Sequence, residues 1–298
     1  MEWASGLRFP EGPIWYPDSS IVLVEVARGT LTRVSADGDV DVIADCGGGP
    51  NGAAVGPDGR IYVCNNGGFT WSEVNGMMVP GDQPGDYIGG SIQRVDPLTG
   101  EVDVLYDACD GNPLRGPNDL VFDPTGGFWF TDHGKTRPRE RDRGGLYYAR
   151  ADGSEIREVV FPLDAPNGVG LSPDGDMLYV AETHQGRLYQ WPLSGPGEIA
   201  GYFGPNHRGT VVADPEGAPL FDSLAVDAYG NVCVATLRNG GITVITPDGL
   251  HYHRSFPDPL TTNICFGGSD MTTAFVTLSG SGRLVSRQWD APGLPLAF

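Results

Sequence analysis

The chain has 298 residues, 45 of them Gly and 25 Pro, with 38 acidic against 19 basic side chains and a formal net charge of −19. So many helix breakers exclude long helices, since Gly and Pro cost about 1 and 3 kcal/mol in a helix interior. The acidity excludes nucleic acid and anionic membrane surfaces as partners, both of which would be repelled, and no run approaches the ~18 apolar residues of a membrane span.

Taken in chain order, apolar residues alternate with period 2 and predict short strands throughout. The first group is FPEGPIWYPDSSIVLVEV (Phe9 to Val26), then LTRVSADG and DVDVIADC, with Asp37-Gly38 as a two-residue hairpin signal. The second opens with PNGAAVGPDGRIYVCNN (Pro50 to Asn66) and then breaks into FTWSEVNGMMVPGDQPGDYIGG (Phe69 to Gly90), which lacks a clean strand period at its centre. An excursion this long is placed near a functional mouth as a lid. Strands resume with SIQRVD and EVDVLYD. The third group is GPNDLVFDPTGGFWFTDHG (Gly116 to Gly134), followed by KTRPRERDRGG, then LYYARADG and IREVVF. The charged segment reads as a solvated loop; its sharper alternative is a second lid whose Arg137, Arg139 or Arg141 meets an anionic substrate. The fourth is APNGVGLSPDGDMLYVAET (Ala165 to Thr183), RLYQWPL and IAGYFG. The fifth is FDSLAVDAYGNVCVATL (Phe221 to Leu237), GITVITPDG and LHYHRSF. The sixth is TNICFGGSDMTTAFVTL (Thr262 to Leu278) and GRLVSRQWD, with the tail APGLPLAF.

Six copies of one grammar, recurring every ~40 to 70 residues, predict an all-β six-bladed β-propeller with four-stranded antiparallel blades around a central channel. No linker divides the copies, so residues 1–298 are read as a single domain, closed by N-terminal residues joining the last blade. Each copy carries one polar residue at its entrance: Glu11, Asn51, Asn118, Asn167, Asp222 and Asn263. A closed repeat gathers these into a ring of two carboxylates and four amides, oxygen donors suited to one hard divalent cation, Ca²⁺ first, with Mg²⁺, Mn²⁺ or Zn²⁺ as alternatives. Singly, the PNG and PND segments read as plain turns. Five Cys without metal or redox spacing, and an N-terminal stretch with neither basic nor apolar signal regions, point to a reducing, cytoplasmic setting.

EGPIW at Glu11, GPNDLVFD at Asn118, PNGVGLSPDG at Asn167, FDSLAVDAYGNVCVAT at Asp222 and TTNICFGG at Thr261 resemble, in order, motifs of the SMP-30/gluconolactonase family. More distantly the chain is similar to the diisopropyl fluorophosphatases. The resemblance implies one catalytic cation at the top of the channel, held by Glu11, Asn167 and Asp222, and by Asn118 in some members. It also implies a small-molecule lactone as substrate. Asp222 is then expected to be both ligand and general base, while Asn51, Asn66, Arg115 and His133 meet the substrate. Two alternatives stay open: an organophosphate triesterase using the same cation, and a non-enzymatic Ca²⁺-binding propeller that serves as an interaction platform.

Overall fold

The computed structural model describes residues 1–201, 209–217 and 219–298, and they contain strands and turns but no helix. Six small antiparallel sheets form the blades of a six-bladed propeller. In blade 1 the strands run Pro10–Trp15, Ile21–Glu25, Thr30–Val34 and Val40–Asp45, from the axis outwards. The inner strands of the later blades are Pro50–Val55, Pro117–Phe122, Pro166–Leu171, Leu220–Val226 and Thr261–Gly267. Each packs against the next, and the sixth returns to the first, so the ring is closed.

Closure uses the two ends of the chain. Glu2–Ala4 pairs antiparallel with Arg283–Gln288 and supplies the outer strand of blade 6, as expected from the need to cover a free edge. Trp3 fixes this strand by packing edge-on against Phe275 at 4.7 Å between ring centroids.

The core lies between blades. Tyr62, Phe122, Phe128 and Phe130 fill the space between blades 2 and 3, and Trp129, Tyr148, Val180 and Trp191 that between blades 3 and 4. Strands buried on both faces therefore read as continuous apolar runs, such as IVLVE and GFWFTD, while the outer strands alternate or are polar. Cys64 and Cys233 are fully buried, all five cysteines are free thiols, and the buried ones act as small core hydrophobes.

Three expectations need correction, and a fourth falls partly outside the described residues. Asp37-Gly38 is not a two-residue hairpin: the loop spans residues 35–39, closed by Ser35 N–H to the Asp39 carbonyl. The stretch after Phe69 is a hairpin, Trp71–Val74 with Met77–Pro80, turning at Asn75-Gly76, both at positive φ. That dipeptide is itself a strong hairpin signal, obscured by the Gly and Pro around it. KTRPRERDRGG is likewise no plain loop, since Thr136–Arg137 pairs with Glu140–Arg141. In blade 4, Arg187–Gly195 pairs with both Glu198–Ile199 and Thr210–Ala213; Tyr202, Phe203 and Gly204 of the predicted IAGYFG strand lie outside the described residues.

Candidate active site

Every inner strand breaks its ladder once, at or next to the predicted entrance residue. Pairing runs from Pro50↔Asn65 directly to Ala53↔Val63, from Pro117↔Asp132 to Leu120↔Phe130, and from Pro166↔Glu182 to Val169↔Val180. In blade 5 the ladder skips Asp222 in the same way, in blade 1 it breaks just after Glu11, which still pairs with Val24, and in blade 6 it breaks at Thr262, one place before Asn263, which stands paired with Thr277. A bulge re-aims the side chain it carries. The six entrance residues are thereby buried on the axial side of the ring instead of lying in the sheet between blades.

The reading of PNG as a plain turn fails here, because Asn51 and Asn167 lie inside strands. Their glycines serve close approach. A Cβ on Gly52 would stand 2.5 Å from the Asn118 carbonyl oxygen, and one on Gly168 2.6 Å from the Leu224 nitrogen. Each entrance peptide is crowded by the inner strand of the next blade. In blade 3 the same position is Asp119, which sequence reasoning did not single out; the signal was PND where its neighbours have PNG.

Three carboxyls share this space. Burial pushes the Glu11 carboxyl up to about 7, against the hydrogen bonds it accepts from Gly12 N–H and Asn263 Nδ2 at 3.0 and 2.8 Å. Burial and then the charge of Glu11 push Asp119 up to about 8 and Asp222 well above the usual carboxylate range. The charge of Glu11 reaches both Asp119 and Asp222, and that of Asp119 reaches Asp222. Asn167 hydrogen-bonds Asp222, donates through Nδ2 to Thr183 Oγ1 at 3.1 Å, and accepts from Ser223 Oγ at 3.4 Å. Asn118 Oδ1 is buried with no hydrogen-bond partner.

This donor set fits a hard cation. An orphaned amide oxygen costs the fold unless something fills its coordination, and buried carboxylates that resist ionisation are neutralised by a +2 charge. Among the described residues no three His, Cys, Asp or Glu side chains gather as a metal cluster, so a cation here must draw on amide oxygens as well as on Glu11 and Asp222. Asn263 is directed instead to the Glu11 carboxylate, and Asn51 to the Asn118 carbonyl at 3.3 Å.

A second tier lies beside the entrances. Asn66, His133 and Thr183 donate their backbone N–H to the carbonyls of Gly49, Gly116 and Ala165, two residues before each entrance residue, and Thr183 Oγ1 meets Asn167. Asn66 Nδ2 donates to Asn51 Oδ1 at 3.0 Å. His133 is half-buried: burial, then Lys135 and Arg141, hold its imidazole down to about 4, and its Nδ1 is buried without a partner. His184 is exposed and meets His133 edge-on at 5.8 Å. Arg115 is exposed at the rim, with its carbonyl accepting from Tyr87 Oη at 2.6 Å.

The Phe69 to Gly90 excursion crosses this end of the channel. Trp71 packs on Phe9 at 5.0 Å, Met78 N–H reaches the Gly280 carbonyl in blade 6, and Gln83 N–H reaches the Thr136 carbonyl in blade 3. Leaving blade 2, it touches blades 1, 3 and 6 and roofs the ring. Two of the three arginines read as anion contacts are engaged, Arg137 with Glu140 and Asp142 and Arg141 with Asp164, while Arg139 is exposed. A mainly apolar cavity of 430 Å³ runs from Asp119 and Asn263 to Trp15, Phe122, Leu171 and Phe266 and the tail Leu294 to Phe298.

Comparison with known proteins agrees with this architecture. The SMP-30/Gluconolactonase/LRE-like region family matches residues 9–280. The chain is 27% identical to a gluconolactonase of Zymomonas mobilis, covering 90% of this chain and 76% of that protein. It is 26% identical to the pentonolactonase XacC of Haloferax volcanii, covering 92% and 82%. The crystal structure of a calcium-binding protein, regucalcin, from Agrobacterium tumefaciens superposes with a TM-score of 0.76 at 20% identity, over 98% of this chain and 94% of that one, which speaks to the fold.

Proposed function

Because the chain belongs to the SMP-30/gluconolactonase/LRE-like family, we propose that it is a hydrolase that opens a small lactone, a sugar-acid lactone or one of similar size. The reading includes one divalent cation, Ca²⁺ first, held by Glu11, Asn118, Asn167 and Asp222. What supports it is the meeting, under a roof, of two buried carboxyls, Glu11 and Asp222, with Asn167 and the unpartnered Asn118 Oδ1. The names of the relatives in the two curated comparisons, a gluconolactonase and a pentonolactonase, support the substrate class.

When bound, the cation supplies Lewis-acid polarisation of the lactone carbonyl. The protein's own residues do the rest. A carboxylate oxygen of Asp222 takes a proton from the attacking water as its oxygen adds to the carbonyl carbon, and that proton goes on to the ring oxygen as the ring C–O bond breaks. The product is a hydroxy acid. Asn167, hydrogen-bonded to Asp222, orients that carboxylate. Asp119 lies near them, its carboxyl pushed up by burial and by the charge of Glu11. Asn51, Asn66, Arg115 and His133 line the approach and offer hydrogen bonds to ring hydroxyls, and the Trp71 to Pro80 hairpin excludes bulk water.

The test is turnover of a panel of 1,4- and 1,5-lactones before and after chelation, beside Asp222→Asn. Loss of ring opening on chelation, its return with Ca²⁺, and a folded but inactive Asp222→Asn are expected. Full activity in the chelated protein refutes the proposal.

A further inference from the structure

Lys135 plays no part in the chemistry above, yet it is built into the wall of the site. It follows His133 by two residues and is buried, 1% exposed. Its Nζ donates to Asn66 Oδ1 at 3.1 Å and to the Gly68 carbonyl at 2.5 Å, and it lies 4.1 Å from the centroid of the Phe69 ring and 5.6 Å from that of Tyr87. Two nearby carboxylates, Asp132 and Asp142, favour its charge without accepting from Nζ, and Asp142 accepts the Lys135 backbone N–H at 3.2 Å. Asp142 and Glu140 pair with Arg137, and Asp132 accepts the backbone N–H groups of Arg115, Gly116 and Gly134.

An ammonium group only donates, and this sets a direction. Asn66 must present its oxygen to Lys135, a choice reinforced by Gly68 N–H at 2.8 Å. Its Nδ2 then faces Asn51 Oδ1, and Asn51 in turn must donate through Nδ2 to the Asn118 carbonyl. One cation therefore orients two amides in series, from the loop of blade 3 through blade 2 and back to the inner strand that carries Asn118. The same side chain grips Gly68 and Phe69, the point from which the roof hairpin springs. A methionine would fill this apolar, aromatic surround without the cost of burying a charge. The fold keeps the charge where packing alone has no need of it.

We infer that Lys135 is a positioning residue of the reaction: it holds the Asn66 and Asn51 amides in the orientation that receives substrate and pins the base of the roof beside them. This rests on the lactonase reading. The test compares wild type, K135M, N66A and the double variant K135M/N66A on whichever lactone wild type opens, with melting temperature and Ca²⁺ affinity measured alongside. K135M is expected to lower kcat/KM about tenfold or more, mainly through KM, while melting no lower than wild type and binding Ca²⁺ within about twofold of it. The double variant is expected to lose no more than N66A alone, because both act through one chain of hydrogen bonds. Unchanged kcat/KM in K135M, a loss carried by kcat at constant KM, or additive losses in the double variant overturn the inference. If K135M does not fold, K135Q, which keeps a donor without the charge, takes its place in the same cycle. Wild type inactive on every lactone refutes the parent reading and this one with it, whereas active wild type with an indifferent K135M refutes this one alone.

Discussion

Glu11 is a site where function and stability pull in opposite directions, and Glu11→Gln separates them. Its carboxyl goes from an ordinary 4.5 to about 7 on burial. For an acid whose folded value is raised, the stability contribution is fully present below the unfolded value and is lost as pH rises through the folded one. Across that span of about 2.5 pH units the loss is roughly 3 kcal/mol at 1.36 kcal/mol per unit. Glutamine has no proton to lose and keeps a carbonyl oxygen for the Gly12 and Asn263 donors. In chelator at pH 8.5, E11Q is therefore expected to melt above wild type by about 6 °C, taking about 2 °C per kcal/mol for a chain of this size. At pH 5 the gap shrinks to about 2 °C or less, because wild-type Glu11 then keeps its proton. Adding Ca²⁺ at about 100 times its dissociation constant gives wild type roughly 3 kcal/mol and E11Q far less, reversing the order. Thermal melts of both proteins at the two pH values, with chelator and with Ca²⁺, read all of this. An E11Q that melts at or below wild type in chelator at pH 8.5, or a gap that does not narrow towards pH 5, refutes the argument.

Gly168→Ala forces a Cβ to within 2.6 Å of the Leu224 nitrogen and 2.9 Å of the Asp222 carbonyl; a loss of about 1–3 kcal/mol in denaturant melts and weaker Ca²⁺ binding are expected. Removing residues 1–4 strips the outer strand from blade 6 and the Trp3 packing on Phe275; it should cost a few kcal/mol and raise light scattering on heating, as an uncovered edge becomes a template for association. Replacing Ser72 to Val79 by a short Gly linker removes the roof but touches no blade strand; KM for the lactone is expected to rise about tenfold with the melting temperature unchanged, measured by initial rates and thermal unfolding.

Much of the architecture is written along the chain. Period-2 runs bounded by Gly, Pro and Asp make short strands, six copies at one spacing make blades, and the polar residue at each blade entrance is visible as Glu11, Asn51, Asn118, Asn167, Asp222 or Asn263, because these signals are local. The roof hairpin at Asn75-Gly76 was equally local and was hidden only by the irregular composition around it. What sequence spacing does not contain is how the six entrances differ once they meet. The bulge in each inner strand turns side chains to the axis, and there the charge of Glu11 raises Asp119 and Asp222 across blades while Asn263 is drawn to Glu11 and Asn51 to the next blade. Asp119 and Lys135 show the limit most clearly. Each looks like an ordinary charged residue in its own segment, and only closure of the ring buries the one beside Glu11 and the other against Asn66, because burial and long-range charge depend on neighbours that lie tens of residues or more away in the chain.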